Sequence, residues 1–191
     1  YTAQGLPLAV FILSEFMRQV SDDLKNAGRI DGMNEYAIFL RLVLPLVRPS
    51  MATVAVFTIG ASLGILYLIQ DRLESAESPR RTFMGRLPSA RSLERLAYGA
   101  HIVAFPMWTF TVIAGAIWAR QAWGSYWNWD PKEVWSFVIW VVYAAYLHAR
   151  ATTGWKRQNA MWIALAGFVC ILLNFAVVNV YFVGQHSYSG L

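Results

Sequence analysis

The chain has almost no cysteine, since Cys170 is the only one among 191 residues. A single cysteine excludes an intrachain disulfide, a Cys-x-x-Cys redox motif and a cysteine-based metal site. Cys170 stands in the middle of an apolar run, where we expect a small side chain that is buried or faces lipid.

Charged residues are also scarce, at 14% of the chain, whereas soluble domains carry about 25%. Hydrophobic residues make up 57% and are gathered into long runs. The formal net charge of +5 does not indicate nucleic-acid binding, because the cations stand in loops beside apolar segments. That placement is typical of membrane proteins. The sequence predicts an all-α, polytopic protein embedded in the lipid bilayer.

Four segments are apolar and long enough to be membrane spans, which need about 20 residues each. We predict them at Leu46–Gln70, Leu96–Ala119, Val134–Ala149 and Met161–Val183. The third is short unless its helix begins at Pro131. The run Leu6–Leu13 is too short to span alone and is expected to be the tail of a truncated span. The chain opens on Tyr1 without a methionine or a basic leader, which favours a fragment or a start that is not native.

Two loops hold most of the cations and predict an orientation. Six arginines stand in the loop Asp71–Arg95, which is polar and expected to be irregular. A second basic loop follows the third span, with Arg150, Lys156 and Arg157. The positive-inside rule places both loops in the cytoplasm. The segment Trp123–Glu133 and the tail Gln185–Leu191 are then expected to face outward together.

Tryptophan is concentrated in one part of the chain. Seven of the nine tryptophans lie between Trp108 and Trp140, and Trp123, Trp127 and Trp129 crowd the outward segment. Indole rings are large and rigid, with one N–H donor each. We expect a flat apolar wall with donors at its rim, which suits a planar and mostly apolar ligand. The tryptophans inside the spans are more often packing or interface residues than ligand contacts.

Three histidines are candidates for metal ligation, and they differ in position. His186 follows the last span on the side of the tryptophans, where an imidazole is well placed to bind haem iron. The alternative is an ordinary interfacial histidine. His148 ends the third span near the inner face, where a functional role and a merely solvated role are equally supported. His101 lies inside the second span, and we expect a structural or hydrogen-bonding role.

Asp130 and Glu133 have two interpretations. In the first, the two carboxylates act together in acid–base catalysis. In the second, the run Asp130-Pro131-Lys132-Glu133 begins a helix, with Asp at the N-cap, Pro at the first helical position and Glu at the third. This capping pattern explains the spacing without acid–base catalysis, and we favour it. Lys132 is a weaker candidate for contact with a ligand carboxylate at the membrane surface.

The segment Trp123–Glu133 resembles the tryptophan-rich WWD motif of membrane haem-handling proteins. The pattern is similar to the CcsA/ResC type of cytochrome c biogenesis protein over roughly residues 60–191, within the segment 59–191, with supporting residues at Phe105-Pro106, Val142–Arg150 and His186-Ser187-Tyr188. The resemblance implies that Trp123, Trp127, Trp129 and Asp130 form an outward haem b site with His186 as an axial iron ligand. It also implies that His148 serves an inner haem site.

The same resemblance implies a function and partners. The family presents haem to apocytochrome c at the outer face of the bacterial cytoplasmic membrane, together with a CcsB/ResB-type membrane subunit, as part of a haem lyase or synthase complex. One departure concerns the second axial ligand. The family places a further external histidine at the start of the span before the basic loop, where this chain has Arg48. Arginine stays protonated and does not ligate iron.

Residues 1–58 resemble a different family. The run Asn26–Gly32, followed by Leu42–Pro45, is similar to the cytoplasmic EAA loop (residues 22–45) of a carbohydrate ABC-transporter permease, with Asp31-Gly32 as the turn. This predicts a chimeric chain joined near Thr58–Ala61. The alternative functions are therefore a transporter subunit coupled to an ATPase, or a fusion with no function.

The two resemblances conflict in topology. A permease needs residues 22–44 in the cytoplasm, and the haem-handling topology needs residues 71–95 there as well. A single span at Leu46–Gln70 cannot place both of its ends on one side. The sequence thus predicts either that this segment does not cross, or that one signature stands outside its functional context.

Overall fold

The computed structural model describes residues 22–76, 83–152, 154–178, 181, 182 and 184, and all regular structure within them is helical. The α-helices are α1 (Asp22–Ile30), α2 (Glu35–Ile38), α3 (Leu44–Ser75), α4 (Ala90–Trp123), α5 (Pro131–Ala151) and α6 (Arg157–Leu173). Two π-helical turns, Phe39–Val43 and Asn174–Val178, precede α3 and follow α6, and a 3-10 turn covers Phe83–Arg86.

Four of these helices are long and apolar enough to cross a membrane: Arg48–Ser75, Ala90–Trp123, Pro131–Ala151 and Arg157–Val178. The predicted all-α, four-span architecture is confirmed, and the third span does begin at Pro131. The loop predicted at Asp71–Arg95 is wrong in its bounds, because α3 continues to Ser75 and α4 already starts at Ala90. The short run Leu6–Leu13 lies outside the described residues.

The four long helices form an up-and-down bundle. α3 packs against α4 and α6, and α5 packs against the same two helices, so that neighbours run antiparallel. One end, here called the basic end, holds the described parts of segments 71–95 and 150–157, in which α3 is followed by α4 and α5 by α6. The other, called the tryptophan end, holds the start of α3, the connection 123–131 and the residues after α6. The order of the helices therefore brings the two basic loops together and separates them from the tryptophan-rich loop.

Aromatic side chains fill the bundle core. Phe57, Tyr143 and Tyr146 are fully buried there, with alanines at the closest helix crossings. The indole N–H of Trp140 donates to Thr109 Oγ1 at 2.9 Å, and that of Trp108 donates to the carbonyl of Ser136 at 3.2 Å. These bonds join α4 to α5 and satisfy donors that would otherwise be costly in an apolar interior. The expected packing role of these two tryptophans is confirmed.

At the basic end, one ion pair ties three helices together. Glu94 of α4 is 2% exposed and accepts hydrogen bonds from Arg150 Nε and from Arg150 Nη2, the latter at 3.1 Å. Arg157 Nε lies 4.0 Å from the same carboxylate. The Arg150 guanidinium also lies 4.8 Å from the centroid of the Tyr98 ring, a cation–π distance. The carboxylate thus links the start of α4 to the end of α5 and the start of α6.

The N-terminal helices pack at the tryptophan end. Gly32, at φ 77°, completes the predicted Asp31-Gly32 turn between α1 and α2. Ile38, Val43 and Val54 then form a small core that also contacts Phe175, beyond α6. Because α3 runs without a break from Leu44 to Ser75, residues 22–43 and the basic end lie at opposite ends of the bundle. The suggestion that this segment does not cross is therefore not supported.

His101 is packed tightly between α3 and α4, so a larger residue at position 60 should destabilise the bundle. Its Nδ1 bonds to the carbonyl of Ala97 at 2.7 Å, and a Cβ atom on residue 60 would lie 2.6 Å from His101 Cε1. We expect Gly60→Ala to lower the free energy of unfolding in detergent by about 1–3 kcal/mol, because the histidine has no room to yield. Denaturant titration measures it. Gly99→Ala, which has open space around it, is the matched control and should leave stability unchanged or slightly raised. Equal effects of the two changes would contradict this packing.

Candidate haem-binding loop

The tryptophan-rich loop begins where α4 is stopped by Gly124. This residue has φ 78°, and its N–H donates to the carbonyl of Arg120 at 3.1 Å. Glycine adopts this left-handed conformation without the penalty that a Cβ atom brings. Ser125 then tightens the following turn, because its Oγ donates to the Trp127 carbonyl at 2.9 Å and accepts from the Trp127 N–H at 3.3 Å. The chain therefore reverses direction in a few residues.

Two buried carboxylates fix the other end of the loop. Asp130 accepts from the N–H of Lys132 at 3.3 Å and caps α5, with Pro131 at its first position. Glu133 Oε2 accepts from the N–H groups of Asn128 at 2.8 Å and of Asp130 at 3.2 Å. The predicted capping pattern is confirmed. Asp130 and Glu133 are only 7% and 8% exposed. Their oxygens accept hydrogen bonds from backbone N–H groups of the loop.

The indole rings do not form the flat wall that the sequence suggested. Trp127 and Trp129 meet edge to face, with centroids 6.0 Å apart and planes at 89°, and Trp118 and Trp123 do the same at 5.0 Å and 83°. Edge-to-face contact is the arrangement that ring quadrupoles favour. Trp129 is 76% exposed and has φ 58°, which is rare for a bulky residue. The loop presents a right-angled aromatic corner in place of a wall.

The chain beyond α6 returns to this loop. Gly184 lies directly against Asp130, so that a Cβ atom on residue 184 would be 2.9 Å from Asp130 Cγ and would overlap the carboxylate. Only a residue without a side chain fits this approach. His186 itself lies outside the described residues, but it follows Gly184 by two positions. Sequence reasoning had placed the tail on this side of the membrane and had missed both this contact and the role of Ser125.

The other two histidines lie away from the loop. His148 is exposed on α5 near the basic end, and His101 is fully buried in the bundle. The expected structural role of His101 agrees with its bond to Ala97 and its packing against Phe57, Tyr143 and Tyr146. Arg48 is exposed near the start of α3, at the tryptophan end. Among the described residues, no group of three His, Cys, Asp or Glu side chains is arranged to hold a metal ion.

The fold and the loop define a multi-pass helical membrane protein with an aromatic site at one end of its bundle. The family model described as cytochrome C assembly protein matches residues 46–186, about three quarters of the chain. The chain therefore belongs to the cytochrome c assembly protein family. The match includes the whole tryptophan-rich loop and ends at His186.

Curated relatives carry a consistent name. "Cytochrome c biogenesis protein CcsA" of Gloeobacter violaceus is 44% identical over 119 residues, which cover 62% of this chain and 35% of the relative. CcsA of Guillardia theta is 33% identical over 199 residues, covering 97% of this chain and 65% of the relative. CcsA of Microcystis aeruginosa is 47% identical over 104 residues, covering 54% and 32%. The chain thus spans between about one third and two thirds of the length of these relatives. No solved structure matches it.

The chimeric interpretation is not borne out. Similarity to the Guillardia theta protein runs over 97% of the chain and so extends through most of residues 1–58. The family match also begins at residue 46, upstream of the proposed junction, and α3 crosses that junction as one helix. The resemblance to a permease reflected a short helix–turn–helix pattern, which the structure contains without implying transport. The domain boundary drawn between residues 58 and 59 stays a prediction.

Proposed function

We propose that this chain binds haem at its tryptophan end and presents it to apocytochrome c during cytochrome c maturation. The main support is the contact between Gly184 and Asp130. This contact places residue 184, two positions before His186, against the tryptophan-rich loop. An aromatic corner and an imidazole from the adjoining tail are the elements that a haem site needs. Membership of the cytochrome c assembly family supports this role.

Each residue of the loop has a separate part in the proposal. The exposed Trp129 ring, with Trp127 at a right angle to it, would provide the aromatic surface that holds the porphyrin. Trp123 extends the aromatic surface at the end of α4. Asp130 binds no iron and instead caps α5, which keeps the loop in shape. His186 would bind the iron, and haem would supply the vinyl groups that react with the cysteine thiols of an apocytochrome. The described residues suit this planar, largely apolar group.

The tryptophan end is proposed to face outward from the cytoplasmic membrane. The two connections at the basic end hold nine arginines and lysines between Arg72 and Arg157, whereas the segment 123–133 holds only Lys132. Cations close to membrane spans are retained on the cytoplasmic side. Outward exposure would place the haem where an apocytochrome is matured.

His148 is proposed to act at a second, inner site. Its side chain is exposed on α5 close to the basic end, so it points away from the bundle core. An imidazole on the outside of the helix bundle is accessible to a neighbouring membrane subunit of the CcsB/ResB type. The remaining ligands of that site would come from the partner. This assignment predicts that the isolated chain does not hold haem at His148.

The visible spectrum of the purified chain tests the outer site. We expect haem-loaded protein to show a Soret band that weakens or shifts in His186→Ala, because the iron loses an axial ligand. His148→Ala is the control at the other end of the bundle and should leave the spectrum of the isolated chain unchanged. A parent without a Soret band, or a band indifferent to His186→Ala, would rule out the proposed site.

A further inference from the structure

Within the tryptophan-rich segment, residues 120–133, the charged side chains that reach the surface are cations. Within residues 120–133 the acidic side chains are Asp130 and Glu133, and both are buried with their oxygens bonded to backbone N–H groups. Of the cations in the same segment, Arg120 is exposed and Lys132 is partly exposed. The aromatic corner is therefore bordered by positive charge. A planar ligand that matches it carries anionic groups at its edge.

The structure holds Arg120 over the loop. Its guanidinium carbon lies 5.8 Å from the centroid of the Tyr126 ring, within the range of a cation–π contact. A Cβ atom on residue 124 would lie 4.0 Å from Arg120 Nη1, so the head group also lies beside the turn that ends α4. Tyr126 is 60% exposed. The guanidinium is thus oriented beside an open aromatic surface, with its flat fork of donors available to a carboxylate.

Lys132 stands where helix electrostatics disfavour a cation. It is the second residue of α5, and the N-terminus of a helix carries a partial positive charge that attracts acids and repels lysine. Glu133, one position later, follows the usual preference. A residue that breaks a local rule in an otherwise consistent segment is a candidate for function. It follows Trp129 of the aromatic corner by three positions in the chain.

From these observations we infer that Arg120 and Lys132 bind the carboxylate groups of the planar ligand, which for haem are its two propionates. This inference rests on the proposed function. The two cations orient the ring, so that its propionate edge faces the helix ends and its opposite edge, which bears the reactive vinyl groups, stays open. They act mainly through the charge of the carboxylates, so they contribute much less to the affinity for an esterified porphyrin.

A comparison of haem with haem dimethyl ester tests this assignment. The purified chain is reconstituted in nanodiscs of neutral lipid and titrated with each compound, with empty nanodiscs as the background. We expect the parent to bind haem about tenfold more tightly than the ester, since charge-assisted bonds are lost in the ester. Raising the salt from about 50 mM to about 500 mM should reduce that preference.

Variants test whether Arg120 and Lys132 cause the preference for haem over its dimethyl ester. Arg120→Gln combined with Lys132→Gln should bring the preference close to one while leaving the affinity for the ester within about twofold. Arg91→Gln, an exposed arginine at the basic end, is the matched control and should keep it. Equal binding of haem and ester by the parent, or a double variant that still prefers haem tenfold, overturns the inference and leaves the proposed function standing. A parent that binds neither compound overturns both.

Discussion

Replacing Glu94 by alanine is expected to lower the free energy of unfolding by about 3 kcal/mol, because it leaves the Arg150 guanidinium without its carboxylate at the end of an apolar bundle. Removal of one partner from a buried ion pair has this effect since the other charge stays desolvated. This loss of stability is at the lower end of the usual range for such a change, because 23% of the Arg150 side chain stays exposed. Denaturant titration of the detergent-solubilised chain measures the change.

Arg157→Gln tests whether the Glu94–Arg150 pair matters more to stability than the positive charge at the basic end in general. Arg157 lies 4.0 Å from the same carboxylate and is 46% exposed, so its loss should cost under about 1 kcal/mol. A double change of Glu94 and Arg150 to apolar residues of similar size should recover part of the stability, because no charge is then left buried. If Glu94→Ala proved as mild as Arg157→Gln, the pair would not tie the bundle together.

Replacing Glu133 by alanine is expected to abolish the shape of the tryptophan-rich loop while leaving the bundle folded. One carboxylate oxygen accepts from two backbone N–H groups, those of Asn128 and Asp130, and alanine leaves both donors unsatisfied in a partly buried loop. We expect a local cost of about 2–4 kcal/mol and at least a tenfold loss of haem affinity. Haem titration of the purified variant, combined with its thermal stability, measures the two effects.

Two further variants make the result specific to these bonds. Glu133→Gln retains an oxygen acceptor, so its haem affinity should fall between that of the parent and that of Glu133→Ala. Glu35→Ala removes a glutamate from the first turn of α2, where it pairs with Arg29 on an exposed surface, and should change neither affinity nor stability by a measurable amount. An unaltered haem affinity in Glu133→Ala would refute the role assigned to the loop.

Features that depend on neighbouring residues in the chain could be predicted from the sequence. The four spans follow from length and apolarity, and the cap of α5 follows from the order Asp130, Pro131 and Glu133, because capping is a contact over three positions. The ring angles between Trp127 and Trp129 could not be predicted, since they depend on the left-handed backbone at Trp129. The contact of Gly184 with Asp130 and the pair of Glu94 with Arg150 join residues that are more than fifty positions apart.

The permease interpretation failed for a related physical reason. Turn chemistry is local, so Asp31-Gly32 correctly predicted a turn between two helices. The same chemistry serves helix–turn–helix segments in unrelated proteins. What distinguishes this segment is its packing, because Ile38 and Val43 contact Val54 of α3 and Phe175 beyond α6. That packing spans more than a hundred positions, and no short motif encodes it.

The left-handed backbone at Trp129 has a consequence for the cost of ligand binding. Such a conformation at a bulky residue costs about 1–3 kcal/mol, and the bonds around Asp130 and Glu133 must offset it during folding. The indole is exposed to solvent, and its edge-to-face contact with Trp127 restricts its direction. Because its freedom is already restricted before any ligand arrives, little conformational entropy remains to be lost on association. On the proposed function the loop is preorganised, because part of the fold's stability is exchanged for tighter and more selective binding of a planar ligand.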